Sequence, residues 1–409
     1  MKGKRDRLGI GMALNHNPVD CAREAAEMAL NVMGSPASWA LVFSGGRHDP
    51  EGVLKGLRSA LGEVPIVGGS AVGVITNSSL DYTGYECAVA AFSSRLPKPV
   101  VVAASDLDHG EIETGRQLGL RLSETVQGEE NVLLFYDSVR SGGPPPSLNT
   151  ASLLLDGIYD GLAGKTLKIT GAGLVGDFQL SKSYLFDGHK RARQGVVAVV
   201  LPEVLSIRQT IMHGCIPVSS FLEITRIDGP VVYEINHRPA LEILLETMGK
   251  EPKDMGPDTL SLTVTLGEKH GDPYAPYNEE AYVNRLIVAA NPQDGSVVLF
   301  ESDFQVGTRV QIMTRNNELM LNSVKDRAHA LAKAINSDET LCAFYIDCAG
   351  RASAFGGSEI EEASLVQEAL GGKIPLMGFF SGVEIAPFQG RSRPLDWTGV
   401  LTFLSIKEK

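Results

Sequence analysis

The order strand, helix, glycine-broken strand, closing strand recurs three times along this chain, and it restricts the possible folds more than any other feature. The first copy opens with the apolar segment SWALVFSGGR, which ends at Arg47, and continues into DPEGVLKGLRSALG. Asp49 is placed to cap that helix, Pro50 suits its first position and Gly62 stops it. Val53, Leu54, Leu57 and Leu61 share one helical face. VPIVGGSAVGVI follows, a strand interrupted by Gly68 and Gly69, and YECAVAAF closes the unit. The second copy reads NVLLFYDSVR, SLNTASLLLDGIYDGLAG, LKITGAGLVGDFQL and GVVAVVLP. The third reads LCAFYIDCAGR, SEIEEASLVQEALGG, IPLMGFFSGVEIAP and WTGVLTFLSI, with Ser358 and Glu361 at capping-box spacing before its helix. An amphipathic helix precedes each copy, near Pro18–Met33, Glu111–Thr125 and Val324–Ile335.

Long apolar first strands next to helices suit sheets covered on at least one face. The expected fold is therefore α/β: mixed β-sheets with flanking helices, built from three repeated helix-strand-helix-strand-strand units. Residues 1–205 would hold two units, at about 8–94 and 98–202, and residues 206–409 a second domain. That second domain would contain a β-rich insertion over 206–311 and the third unit over 312–406. Within the insertion, a hairpin is expected around Asp228–Gly229 and a helix from near Pro239.

A length of 409 residues exceeds one ordinary core, in keeping with more than one domain. The net charge of −12 argues against non-specific nucleic-acid binding, and the basic stretch from Lys2 to Arg7 reads as a solvated terminus. No apolar run approaches the ~18–20 residues of a membrane span, and the N-terminus lacks a secretory h-region. The five cysteines, Cys21, Cys87, Cys215, Cys342 and Cys348, are odd in number and scattered, which points to a reducing compartment and a cytoplasmic location.

Residues Gly171 to Gly176 spell GAGLVG, but DFQLSKSYLFDG follows where a dinucleotide fold needs a helix, so the glycines read as a strand kink. Ser70 and Ser381 lack the G-x-S-x-G frame of a nucleophile elbow. No metal-binding spacing is present beyond the pair His213 and Cys215, so neither a metal nor a cofactor is expected. Arg47, Arg140 and Arg351 each follow the first strand of their unit, where open α/β sheets bind ligands. An arginine there either receives a carboxylate or phosphate, or pairs with local acids such as Asp49, Asp137 or Asp347. Cys348 precedes Arg351, and a guanidinium with a helix N-terminus would favour its thiolate; the alternative is a buried apolar packing role. Glu384 interrupts the third glycine-broken strand and is placed to fix Arg351 or to receive an amine.

At these residues the sequence resembles the FIST family, in both its N-terminal and C-terminal domains. VPIVGGSAVGVI is similar to that family's vvGcSTaGei segment, with Gly69 and Ala71 in place of the usual Cys and Thr. HGCIPV and VVYEINHRPALEIL resemble the segments that follow, and DCAGR and PLMGFFSGVEIAP resemble C-terminal-domain motifs. The resemblance spans roughly Ser38 to Ile406. It implies a sensory module that binds small ligands, with amino acids proposed, and binding rather than turnover.

The sequence thus leads to a non-enzymatic small-ligand sensor, its ligand an amino acid or other small carboxylate, with output through a protein partner. The expected site comprises Cys348, Gly350, Arg351, Gly378, Phe379 and Glu384, with Gly68, Ser70 and Gly73 contributing from the N-terminal half. Arg351 would receive an acid, Glu384 an amine and Phe379 an apolar group. A thiol-dependent hydrolase or transferase using Cys348 is the enzymatic alternative. A protein-interaction scaffold docking through the insertion is the third.

Overall fold

The computed structural model describes residues 6–143, 146–251, 260, 263–335 and 339–407, so residues 2–5 of the basic N-terminal stretch lie outside it. The fold is mixed α/β, with eight α-helices and several mixed sheets among the described residues. Local rules set the helix ends. Asn17 accepts from the Val19 and Asp20 amides ahead of helix Pro18–Met33, and Gly34 ends it in a left-handed conformation. Asp49 accepts from the Gly52 amide at 2.8 Å ahead of helix Pro50–Leu61.

Three six-stranded sheets share one strand order. In the first it is Leu8–Leu14, Glu86–Ser93, Ala37–Gly45, Ile66–Ala71, then the short pair Leu185–Gly188 and Arg191–Ala192. In the second it is Val100–Ser105, Gly195–Val200, Asn131–Asp137, Lys168–Leu174, then Val383–Phe388 and Arg391–Leu395. In the third it is Leu205–Met212, Gly399–Ile406, Thr340–Cys348, Leu376–Ser381, then Val74–Thr76 and Leu80–Asp81. The last two strands of each sheet therefore come from another part of the chain as a hairpin, whose first strand pairs antiparallel to the glycine-bearing strand. This three-way exchange interlocks the sheets.

The glycine breaks have a steric cause. Gly68, Gly171 and Gly378 pair in parallel with Val42, Leu134 and Tyr345 of the neighbouring strand. A Cβ at these positions would lie 2.0, 1.8 and 2.5 Å from the partner's carbonyl oxygen, so the backbones approach too closely for any side chain. Each sheet packs helices on one face, and the three opposite faces contribute to one shared apolar core. Phe43, Phe135 and Phe379 meet there. Phe379 stacks on Phe43 with centroids 3.7 Å apart and meets Phe135 edge-on at 6.2 Å.

Between Met212 and Asn317 the chain forms a separate barrel. Its six strands run Leu222–Asp228, Val231–Ile235, Ser296–Leu299, Tyr282–Asn291, Val264–Lys269 and Arg309–Thr314, and the last pairs back to the first. Helix Ala240–Met248 packs its apolar face with the barrel core.

Several expectations need correction. The hairpin at Asp228–Gly229 and a helix just after Pro239 form as expected. A leading strand opens each region before its first helix; these strands (Leu8–Leu14, Val100–Ser105 and Leu205–Met212) escaped the pattern because only part of each is buried. Leu205–Met212 belongs to the third sheet, so the barrel begins later than residue 206. The third region's helix starts at Glu362, not at a Ser358–Glu361 box, because Ser358 turns back onto Ile360 and Glu361 accepts from the Ser353 amide.

Candidate functional site

The carboxyl end of strand Thr340–Cys348 carries a dense buried charge cluster. Arg351 sits in the turn just beyond it and is wholly buried. All five of its donors are occupied. Nη2 donates to both Glu362 oxygens at 2.7 Å, and Nε donates to Glu362 at 3.2 Å. Nη1 donates to the carbonyls of His213 (3.2 Å) and Trp397 (2.8 Å). Tyr345 donates its hydroxyl to Glu362. Asp347 lies 3.4 Å from Arg351, yet neither of its oxygens has a hydrogen bond, and burial pushes its carboxyl well above the usual range. Glu362 is also raised by burial, but its fork with Arg351 marks it as the ionised partner.

Arg351 is therefore a structural cation, and the expectation that it receives an acidic ligand group gives way to this saturated pairing. Glu384 does not bind it. The Glu384 carboxylate accepts from Ser381 Oγ at 2.7 Å and the Thr398 amide at 3.2 Å, and burial raises its pKa strongly. Both Glu384 oxygens are engaged within the fold, so the expected amine-receiving role gives way to a structural one. Burial, then Glu384, push the Cys348 thiol up; the guanidinium beside it does not offset this. Phe379 is core. Gly68, Gly378 and Gly73 are fixed by close backbone approach, Gly73 with a Cβ position 2.5 Å from the Asp81 carbonyl. Ser70 is spent on strand exchange, accepting from the Tyr184 amide at 3.1 Å and donating to its carbonyl at 3.3 Å. The structure keeps Cys348, Gly350 and Arg351 together at one strand end and places Gly68 and Ser70 in the first sheet.

Arg351 and Glu384 do converge on one element, the turn Asp396–Trp397–Thr398. Trp397 is 3% exposed and has φ of 57°, a left-handed conformation that a bulky residue adopts only when its surroundings enforce it. Here they do. Arg351 holds the Trp397 carbonyl, Glu384 holds the Thr398 amide, and Asp396 accepts from the Leu286 amide at 2.9 Å, 3.5 Å from buried Arg285. Gly350 lies flat against the indole, where a Cβ would be 3.2 Å from two ring carbons. Arg315, reaching in from the end of the barrel, stacks on the same indole at 3.5 Å.

Beside this cluster His213, Glu279, Ser323 and Arg327 form a second polar group. Burial opposes ionisation of Glu279, but the Gly214 amide, Arg327 and Ser323 hold its carboxyl below the usual range. Burial lowers the His213 pKa, so its ring is neutral and accepts from the Cys215 amide at 2.9 Å. His213 and Cys215 are thus packing partners.

At the other two sheets Arg140 pairs with Glu111 at 2.6 Å rather than with Asp137, and Arg47 is exposed over the Tyr85 ring. All five cysteines are free and buried. Residues that the sequence did not single out are Arg315, Trp397 and Glu362. A lone tryptophan in the turn LDWTG was the available signal for Trp397; Arg315 and Glu362 had none, since each gains its meaning from contacts distant in sequence.

Comparison with known proteins bears on this geometry. Residues 38–238 match the FIST N domain and residues 240–387 the FIST C domain. The chain belongs to the FIST family. FIST domains are associated with small-ligand sensing in signal transduction. Relatives include an uncharacterized protein of Mycobacterium bovis, 25% identical over 94% of this chain and 95% of the relative. An uncharacterized protein of Mycobacterium tuberculosis is 25% identical over 94% of this chain and 96% of its own length. Among solved structures, a cyanuric acid hydrolase from A. caulinodans aligns over 98% of this chain and 99% of its own at TM-score 0.34 and 9% identity. A chorismatase aligns over 97% and 98% at TM-score 0.35 and 9% identity. No described helix of this FIST protein is long and apolar enough to cross a membrane.

Proposed function

We propose that this FIST protein is a non-enzymatic small-ligand sensor whose site lies at the carboxyl end of the third sheet, with Trp397 as its wall. The forced left-handed conformation of Trp397 carries this reading. Strained, over-determined backbone is kept where it serves a site, and ligands of open α/β sheets bind outside strand carboxyl ends. Cys348 and Gly350 line the same end, Arg351 and Glu384 shape the turn, and the glycine-bearing strands form the frame. The burial of Cys348 favours binding over thiol chemistry. Its ligand is an amino acid or other small carboxylate, its location cytoplasmic and its output a signalling protein partner.

Thermal-shift screening against amino acids, nucleotides and organic acids tests this. A ligand at 100 times its dissociation constant adds about 2.7 kcal/mol of stability and should alter Trp397 emission, an effect lost in Trp397→Phe. If no compound raises Tm, and native mass spectrometry finds only the polypeptide mass, the sensor reading is wrong.

A further inference from the structure

Arg315 enters the third-sheet strand end from the barrel and forms no ion pair there among the described residues. It is 5% exposed, and its Nε and Nη1 are buried with no hydrogen-bond partner. Among the described residues no carboxylate forms an ion pair with it. The Nε1 donor of Trp397, on which it stacks, is also buried and unpartnered. A guanidinium withdrawn from water without an acceptor is strongly unfavourable, and stacking on an indole recovers only part of that.

The charges around it do not cancel. Arg351 and Glu362 neutralise one another. Burial disfavours the charged forms of Asp347, Glu384 and Cys348 and pushes the Cys215 thiol up to about 11. Burial, then Arg351, lower Arg315 to about 9, which leaves it a cation at neutral pH. Arg315 is thus the cation of this cluster with no ion-pair partner among the described residues.

We infer that Arg315 and Trp397 form the anion-receiving half of the ligand site and take a small monocarboxylate. This rests on the binding reading above. Three unpaired donors, two of them on a cation, define a receptor for an oxyanion. A single uncompensated charge suits a carboxylate better than a phosphate dianion. The short helix Ser353–Gly356 packs beside Arg315. A Cβ at Gly356 would lie 4.0 Å from Arg315 Nη2, so glycine keeps that approach narrow in side-chain bulk. On the outer side an open groove of ≈ 500 Å³ reaches Asn317 and Gly357. Asn317 Nδ2 donates to the Gly356 carbonyl at 3.4 Å, which ties the two elements together at that point.

The test uses the full chain with acetate, L-lactate, L-alanine and inorganic phosphate as probes and acetamide as the uncharged control. Calorimetry, Tm and tryptophan emission are the readouts. Trp39, the other tryptophan, is stacked on Phe92 in the core, so Trp397→Phe assigns the signal. At least one carboxylate should bind saturably and change Trp397 emission. Arg315→Met should weaken it at least tenfold, and Arg315→Lys should retain part of the affinity. Without probe, Arg315→Met should melt at the wild-type temperature or above, because an unpaired buried charge is removed. Unchanged carboxylate affinity in Arg315→Met overturns the inference, as does a lowered Tm with no carboxylate binding to wild type. Phosphate binding alone overturns the carboxylate assignment. A neutral compound that perturbs Trp397 when no anion does sinks the inference and leaves the sensor reading standing; silence across the whole sensor panel removes both.

Discussion

The carboxyl ends of the central strands in the second and third sheets occupy the same place in their strand order, yet they treat charge differently. In the second, Asp137 accepts from Ser183 Oγ and from the Val139 and Gln194 amides, and Arg140 is half-exposed against Glu111 and Asn149. Each charged group there has a partner. In the third, two guanidiniums and three carboxyls are buried together, Asp347 accepts no hydrogen bond, and Arg315 has no anion. Equal topology with unequal satisfaction separates scaffold from site. Buried charged groups normally find partners, so the end where Asp347 and Arg315 do not is where a ligand has something to supply, whereas the second end leaves the neutral Tyr136 and Ser138 hydroxyls unpartnered.

The largest effect that would sharpen this contrast is at the ion pairs. Glu362→Gln strands Arg351 inside the protein and should lower stability by about 3–5 kcal/mol, whereas Glu111→Gln at the half-exposed Arg140 pair should cost about 1 kcal/mol or less. Urea melts of both variants check it, and equal losses would break the comparison. Next come the equivalent glycines of the three sheets. Gly171→Ala and Gly68→Ala place a methyl against a backbone carbonyl and should each cost about 1–3 kcal/mol or more; Gly378→Ala, with more room, should cost less.

The smallest effect is a pH dependence. Asp347 has a raised folded pKa, so between the ordinary aspartate value of about 3.9 and that higher value the folded state binds more protons than the unfolded one. Stability therefore falls as pH rises through that window. Asp347→Asn removes this penalty, and its stability relative to wild type should increase from pH 4 to pH 7. Asp137→Asn should show a loss near neutral pH instead, about 1–3 kcal/mol, because it disturbs three accepted hydrogen bonds. Paired denaturation curves at the two pH values decide whether the two aspartates differ in this way.

Much of the frame was legible along the chain. Asp49, Pro50 and Gly62 bound a helix through contacts within a few residues, and the periodicity of Val53 and Leu57 follows from the same local geometry. The glycine breaks were also visible at Gly68, Gly171 and Gly378. The site was legible only in part. Cys348, Gly350 and Arg351 were found because they are adjacent in sequence, but Arg351 was assigned the wrong partner. Its partner Glu362 lies in a helix start that reads like any other acidic first turn.

What the sequence by itself determined is the set of elements: amphipathic helices, apolar strands and the glycines between them, all fixed by interactions over a few residues. Only the tertiary structure decided which guanidinium is saturated and which is free. That outcome depends on desolvation and on hydrogen-bond geometry among Arg315, Arg351, Glu362 and Trp397, groups brought together from the barrel, a turn, a helix and a closing strand. Charge compensation in a low-dielectric interior is a property of distances, and the order of residues along the chain does not contain those distances.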